Sequence, residues 1–321
     1  MEKRALVTGG AGFIGSHLTA RLLAEGWQVR VLDNLNSGAE ANICALPGDL
    51  ELMHGDIRDV SACRTACSGV DSVFHMAALA SVVGSIADPL HSHEVNLGGM
   101  LNMLTAARDA DVRRFVFSSS AAIYGNAESL PTTEDQSYEP QSPYATHKAC
   151  GEFYCKNFYN LYGLETVILR YFNVFGPRQT LNSGYAAVVP LFIQAALEGR
   201  SPTIFGDGRQ TRDFVYVGNV VAANLLAATQ KGAAGATFNV AGGAGLSLLE
   251  LVSYLEEFAG RSLNPVFQPE RVGEIKHSVA DVTRAQNLLG FTPEVSVAEG
   301  LRRTYEAYRE GKGKRVEGRE I

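Results

Sequence analysis

A chain of 321 residues, 46% hydrophobic and 19% charged, has the balance of a folded globular protein and is long enough for one large or two modest cores. Its formal charge of -6 includes no long basic run, which argues against a surface for nucleic-acid backbones, and no stretch nears the roughly 20 apolar residues of a membrane span. The five cysteines (Cys44, Cys63, Cys67, Cys150, Cys155) are odd in number and lack histidines at metal-finger spacing, so they indicate neither a disulfide framework nor a zinc site. Reduced thiols, and an opening MEKRALVTGG without an apolar signal segment, point to a soluble cytoplasmic protein.

From Arg4 to Thr8 a short apolar run ends in glycines. A helical pattern follows from Gly12 to Glu25, Gly26 stops it, and Gln28 to Leu32 is the next apolar run, which together predict a βαβ unit. The junction reads G-G-A-G-F-I-G, and its spacing, G-x-x-G-x-x-G, departs from the common G-x-G-x-x-G. A glycine triplet alone is a tight turn. Between a strand and a helix it lets backbone N–H groups approach a pyrophosphate, which makes Gly9, Gly12, Phe13, Ile14 and Gly15 the candidate cradle. Asp33 ends the second strand 24 residues after Gly9, beside Asn34. Its carboxylate suits a ribose 2′-OH and repels a 2′-phosphate, so NAD is favoured over NADP. Asp56 and Ile57, in HGDIRD after the third strand, stand where an adenine edge is read, although Asp56 fits a helix N-cap nearly as well.

The alternation continues through Leu50–His54, a helix over Val60–Cys67, Ser72–His75, a helix over Pro89–Ala110 and Arg114–Ser118. It predicts an α/β chain with a doubly wound parallel sheet and a ligand crevice at the carboxyl ends of the strands. The strand at Arg114 closes on Ser118, Ser119 and Ser120, and Tyr144 and Lys148 follow in Y-A-T-H-K, one helical turn apart on one face. A tyrosine that titrates at about 10 needs roughly 4 kcal/mol of help to act as a base near neutrality. An ammonium at about 5 Å supplies roughly 3 kcal/mol at an effective dielectric of about 20, so Lys148 nearly suffices. A Tyr-x-x-x-Lys pair is by itself more often a packed ring beside a solvated lysine. The serine run and the glycine loop turn the balance to catalysis, with Ser120 placed to hydrogen-bond the reacting oxygen.

After about Phe172 the rhythm weakens into FGPRQTLNSGYAAVVP, a helix from Val189 to Glu198, the stretch Thr203–Arg212, a strand end and helix over Phe214–Thr229 and an amphipathic helix over Leu248–Ala259. The two domains are expected to interleave. Residues 1–172 plus about 213–240 would form the dinucleotide domain, and about 173–212 plus 241–310 a smaller substrate domain. The tail 311–321 is polar and expected to fray.

TGGAGFIG, FSSSAAIYG and SPYATHK, extended by LRYFNVFGPRQ, GDGRQTRDFVYV and HSVADVTRA over nearly the whole chain, resemble the extended short-chain dehydrogenase/reductase family. Within it they look most like the UDP-hexose 4-epimerase branch, in particular the bacterial members acting on N-acetylated UDP-sugars. The resemblance implies a Rossmann fold, a tightly held NAD, a UDP-sugar substrate and a homodimer built on a helix bundle. By position it places His75, Ala77, Ala78, Asn96, Ser118 and Tyr171 at the cofactor, His75 being an equally good core residue. It places Asn173 at the UDP pyrophosphate and sugar, Arg212 and Arg271 as a phosphate clamp, and Glu274 at the uridine ribose. Ala186, Val189 and Phe205 would pack on the uracil, with core packing as their plainer role. Ser278 aligns with a gate that is tyrosine in members restricted to plain hexoses, so its small side chain leaves room for an N-acetyl group. Ser81 would lie near that group from the other side, unless it is only a helix N-cap.

Three rivals remain at this level. Dehydratases of the family carry an acidic pair after the catalytic hydroxyl, where this chain has Ala121 and Ala122. A UDP-glucuronate 4-epimerase stays open, as does a non-catalytic NAD-sensing scaffold, which would have no need of Ser120, Tyr144 and Lys148.

Overall fold

The computed structural model describes residues 3–180, 187–270 and 276–311. The first half runs β1 (Arg4–Thr8), α1 (Phe13–Ala24), β2 (Gln28–Asp33), β3 (Leu50–His54), α2 (Val60–Cys67), β4 (Ser72–His75), α3 (Val82–Ala87), α4 (Pro89–His93), α5 (Gly99–Asp109), β5 (Arg114–Ser120), α6 (Pro143–Tyr162) and β6 (Glu165–Tyr171). The second half runs β7 (Asn173–Phe175), α7 (Val188–Glu198), β8 (Thr203–Phe205), β9 (Thr211–Tyr216), α8 (Val217–Thr229), β10 (Thr237–Val240), β11 (Gly245–Ser247), α9 (Leu248–Ala259), β12 (Val266–Gln268), β13 (His277–Ser278) and α10 (Val297–Arg309).

Seven of these strands form one parallel sheet in the order β10-β6-β5-β4-β1-β2-β3. Its central strands are almost wholly buried, as a sheet covered on both faces requires. One face is sealed by Leu18 and Leu22 of α1 with Val220 and Ala223 of α8, the other by Met103 and Leu104 of α5 with Phe158 of α6. Connections leave β1 and β4 in opposite directions along the sheet, so a crevice opens between their carboxyl ends. This is the predicted doubly wound architecture.

A smaller sheet gathers around β9, which pairs with β7, β11 and β13. Its own core contains Phe192, Ile193, Phe214, Leu251 and Leu255. The chain then returns to the large sheet with α8, which packs against α1, and with β10.

Two local departures from the sequence pattern have physical causes. The helix expected over Pro89–Ala110 carries a π-turn at Glu94–Gly98, after which Gly99 lies so close to Ile57 that a Cβ would sit 2.5 Å from its side chain. The strand expected to stop at Ser118 continues to Ser120, because Ser119 and Ser120 still pair with Arg170 and Tyr171 of β6. Among the described residues no helix is long and apolar enough to cross a membrane.

Candidate active site

The turn after β1 is held by Gly9, whose φ of +67° suits a residue without Cβ and whose missing Cβ would lie 3.0 Å from the Ala77 backbone. Gly15 packs the first turn of α1 onto it, since a Cβ there would meet the Gly9 carbonyl at 2.1 Å. Gly12 is the N-cap residue and supplies no side-chain acceptor. The N–H groups of the first turn, Phe13 and Ile14 included, therefore have no side-chain cap, and the positive end of the helix is left for an anion. Thr8 ties this turn to the next strand, accepting from the Met76 and Ala77 N–H groups at 3.2 and 3.1 Å. Its hydroxyl also meets the His75 ring at 2.9 Å. His75 takes the core role, buried beside Phe115 and Phe117, and burial pushes its pKa down to about 3.

Asp33 is buried where β2 ends, its carboxylate accepting from the Ala11 N–H at 2.9 Å and the Leu35 N–H at 2.8 Å. Asp56 is not a helix cap. That role belongs to Asp59, which accepts from Ser61 and Ala62 at the start of α2. Asp56 instead holds the Asn34 amide at 2.9 Å and the forked Arg58 guanidinium, which keeps its carboxyl well below the usual carboxylate range. Ile57, expected at the cofactor, is buried under Gly99 as a core side chain, because its helix partner there has no Cβ to keep it out. Asn96 is also buried. From the π-turn it accepts from the Leu79 N–H at 2.7 Å and donates to the Leu79 carbonyl, so it props the loop that follows Ala77 and Ala78.

At the end of β5 the Tyr144 side chain lies beside that of Ser120, close enough for the two to interact, while Ser120 Oγ accepts from the Ala122 N–H at 3.2 Å. The Tyr144 N–H also donates to Ser85 of α3 at 3.0 Å. Lys148, 5% exposed, donates from Nζ to the Ser118 carbonyl at 2.6 Å, with Nζ 4.9 Å from the Phe117 ring centre and 5.9 Å from that of Tyr144. Burial pulls the lysine down to about 8, opposed by the Glu152 carboxylate. Burial likewise raises Tyr144 above the ordinary tyrosine value, and the neighbouring Ser120 hydroxyl opposes the rise. The Lys148 ammonium thus stands near the tyrosine ring while it donates to the strand backbone and is itself desolvated. The Ser118 and Tyr171 hydroxyls meet at 3.1 Å, and Asn224 of α8 joins Tyr171 at 2.8 Å, so both side chains form a buried floor at the sheet end where the cofactor is expected.

Glu152 went unnoticed in the sequence, although its i+4 spacing from Lys148 continues the Tyr144–Lys148 stripe. Wholly buried, it accepts from Ser119 and from the Arg170 guanidinium at 2.7 and 2.9 Å. Consecutive serines of β5 are thereby gripped from consecutive turns of α6.

Across the crevice, Ser278 of β13 lies in register with Arg212 of β9, both partly buried. Asp213, a second residue the sequence did not flag, fixes that strand pair. Its carboxylate accepts from Ala280 at 3.0 Å and from Gly242 at 2.7 Å, and burial raises it to about 6. Asn173 is exposed on β7 and Phe205 half-buried on β8. Val189 is 1% exposed in the core of the smaller region, so its plainer role holds. Ser81 caps α3, accepting from Gly84 at 2.9 Å. Ala186, Arg271 and Glu274 lie outside the described residues.

A model of the NAD dependent epimerase/dehydratase family matches residues 5–241. The UDP-glucose 4-epimerase of Mycolicibacterium smegmatis is 41% identical over 310 residues, covering 95% of this chain and 98% of that one. A solved UDP-N-acetylglucosamine 4-epimerase from Methanobrevibacter ruminantium M1, in complex with UDP-N-acetylmuramic acid, superposes with a TM-score of 0.92 at 40% identity, covering 97% of this chain and 99% of the other. A UDP-N-acetyl-alpha-D-glucosaminuronate decarboxylase of Bacillus cytotoxicus is 34% identical over 322 residues, covering 97% and 99%. The uncapped first turn of α1, the two glycines that a Cβ would block and the buried Asp33 fit the dinucleotide in the family's description.

Proposed function

We propose, since this chain belongs to the NAD dependent epimerase/dehydratase family, that it is an isomerase, a UDP-hexose 4-epimerase interconverting UDP-N-acetylglucosamine with UDP-N-acetylgalactosamine, and UDP-glucose with UDP-galactose. The observation that carries this reading is the gathering of Ser120, Tyr144 and Lys148 at the end of β5, with Lys148 one turn further along α6 and its Nζ 5.9 Å from the Tyr144 ring centre. When bound, NAD would supply a reversible hydride acceptor for the sugar C4 and, in its oxidised form, a positive charge. Ser120 orients the 4-hydroxyl, and Tyr144, ionised, takes its proton. The Lys148 ammonium stabilises that phenolate through the field of the site. The resulting 4-keto sugar turns over in the pocket, and Tyr144 returns the proton as the other face is reduced, so no net redox results.

Such a reaction needs a firmly anchored UDP and a loosely held hexose. Arg212 and Arg271 would clamp the diphosphate with forked donors, Asn173 and Glu274 would hold the sugar end and the ribose, and Ala186 and Phe205 would flank the uracil. Ser278 leaves the space that an acetamido group fills, with Ser81 opposite. In this division of labour residues 1–172 and about 213–240 hold the NAD, and the remainder up to residue 310 holds the UDP-sugar. The exposed apolar side chains Phe153, Leu161 and Tyr162 on α6 suit a helix-bundle homodimer. The five cysteines are all free thiols, in keeping with a cytoplasmic setting.

A dehydratase needs an acid beside Ser120, and Ala121 and Ala122 offer none. The decarboxylase relative makes UDP-hexuronates the class to test against. The purified protein, given UDP-N-acetylglucosamine, UDP-glucose or UDP-glucuronate without added reductant, should yield 4-epimers of the first two by proton NMR. Loss of the C6 carboxylate, a 6-deoxy product or no conversion would overturn the reading.

A further inference from the structure

Arg178 stands out as a cation without an acid. Its side chain is partly buried, and among the described residues no carboxylate pairs with it. Burial alone acts on its titration and pulls it down. Its backbone is also held at φ +65°, a left-handed conformation that few side chains other than glycine adopt freely. Burying a guanidinium without a counter-charge and holding such a backbone both cost stability. A fold carries those costs where something outside the chain offsets them.

The surroundings say what that is. The Arg178 guanidinium donates to Ser16 Oγ at 3.2 Å, and Ser16 in turn donates to the Phe13 carbonyl, inside the first turn of α1. Next to it the His17 ring donates to the Pro177 carbonyl at 2.9 Å. Gly176 sits at van der Waals distance from the Phe13 ring, where a Cβ would be 3.5 Å away. Three successive residues, Gly176, Pro177 and Arg178, are thus laid along the helix turn whose N–H groups have no side-chain cap. His17 holds the segment as a neutral donor, burial and the neighbouring guanidinium keeping its pKa at about 4.

We propose that Arg178 is a cofactor-binding residue that completes the pyrophosphate site of the dinucleotide, supplying from the loop after β7 the positive charge that the glycine turn lacks. The inference rests on the NAD reading above. It requires a diphosphate diester at the start of α1, and the UDP diphosphate is the competing source of the same chemistry.

The experiment compares Arg178→Met and Arg178→Lys with the wild-type full chain as purified with its NAD. It measures exchange of bound NAD for NADH by fluorescence, affinity for UDP, and the thermal unfolding midpoint with and without saturating NAD. Arg178→Met should weaken dinucleotide binding by about 10- to 100-fold, as expected for one charge-assisted contact, and Arg178→Lys should weaken it less. The midpoint without NAD should stay level or rise, because an unpaired buried charge is gone, while the rise that NAD induces shrinks. Unchanged NAD exchange in Arg178→Met overturns the proposal, as does a loss confined to UDP affinity. A fall in the NAD-free midpoint with dinucleotide affinity intact assigns Arg178 a structural role and overturns it as well. If the wild-type protein neither holds nor takes up dinucleotide, the NAD reading itself falls.

Discussion

In the proposed reaction Tyr144 has to give up a proton where burial favours keeping it, and its neighbouring hydroxyl lowers the cost only in part. Ground-state geometry therefore leaves the base to be made when the cleft is charged and filled. Tyr144→Phe keeps the ring and its packing and removes the hydroxyl proposed to exchange the 4-hydroxyl proton. Turnover should fall by at least about 100-fold with bound NAD retained, and near-normal turnover in a UDP-sugar assay would remove Tyr144 from the mechanism. In the proposed reading Ser278 works by size. It pairs in register with Arg212, and a phenol ring at that position would compete for space with an acetamido group, at a cost of roughly 1–3 kcal/mol or more. Ser278→Tyr should abolish turnover of the acetylated pair and spare the plain pair, read as kcat/KM on both. An equal loss on the two pairs would show that the position does not gate.

Along α6 the residues Tyr144, Lys148 and Glu152 occupy one stripe along the β5 end: Tyr144 lies beside Ser120, Lys148 holds the Ser118 carbonyl and Glu152 holds Ser119. The helix thereby aligns the strand it serves. The grip depends on a buried ion pair, Glu152 with Arg170, and breaking such a pair from one side leaves a charge uncompensated at roughly 3–5 kcal/mol. Glu152→Gln should lose stability of that order in urea unfolding. A loss below about 1 kcal/mol would mean that Tyr124 and Tyr138, which also meet Arg170, hold the guanidinium without it.

For the whole molecule, protons are distributed unevenly between the folded and unfolded chain. Burial sets His75 at about 3 and His17 at about 4, against 6.5 for a free imidazole. Between pH 6.5 and 4 the unfolded chain binds both protons and the folded chain does not, so each lowers stability as pH falls. Asp213 acts in reverse. Raised to about 6 from 3.8, it is protonated in the folded state over much of the same window and gains stability as pH falls. For these three groups two protons against one leave a net loss of roughly 1.4 kcal/mol per pH unit between about pH 6 and 4; His147, also lowered by burial, adds to it and Glu134, raised by burial, opposes it. Urea midpoints measured from pH 7 to 4.5 should fall accordingly, and a flat or rising curve would mean that the imidazoles are not held neutral.

Short-range stereochemistry made much of this protein legible in advance. The glycine turn, the i, i+4 pairing of Tyr144 with Lys148, the serine run and the βα alternation each depend on residues within a turn or two of one another, where periodicity and the need for a missing Cβ are written directly in the chain. Burial and partnership are set by residues far apart in sequence, and there only the tertiary structure decided. Ile57 and Val189 went into cores, and Tyr171 went beneath the sheet, because packed neighbours left them no other side to face. Asp56 lost the cap to Asp59 because Asn34 and Arg58 reached it first. Lys148, beside the tyrosine ring, found its hydrogen-bond acceptor in a strand carbonyl 30 positions away, and Arg178 met α1 across 162 positions. Local pattern says what a residue is able to do. The folded surroundings, through desolvation and the distance to the next charge, settle which of those things it does.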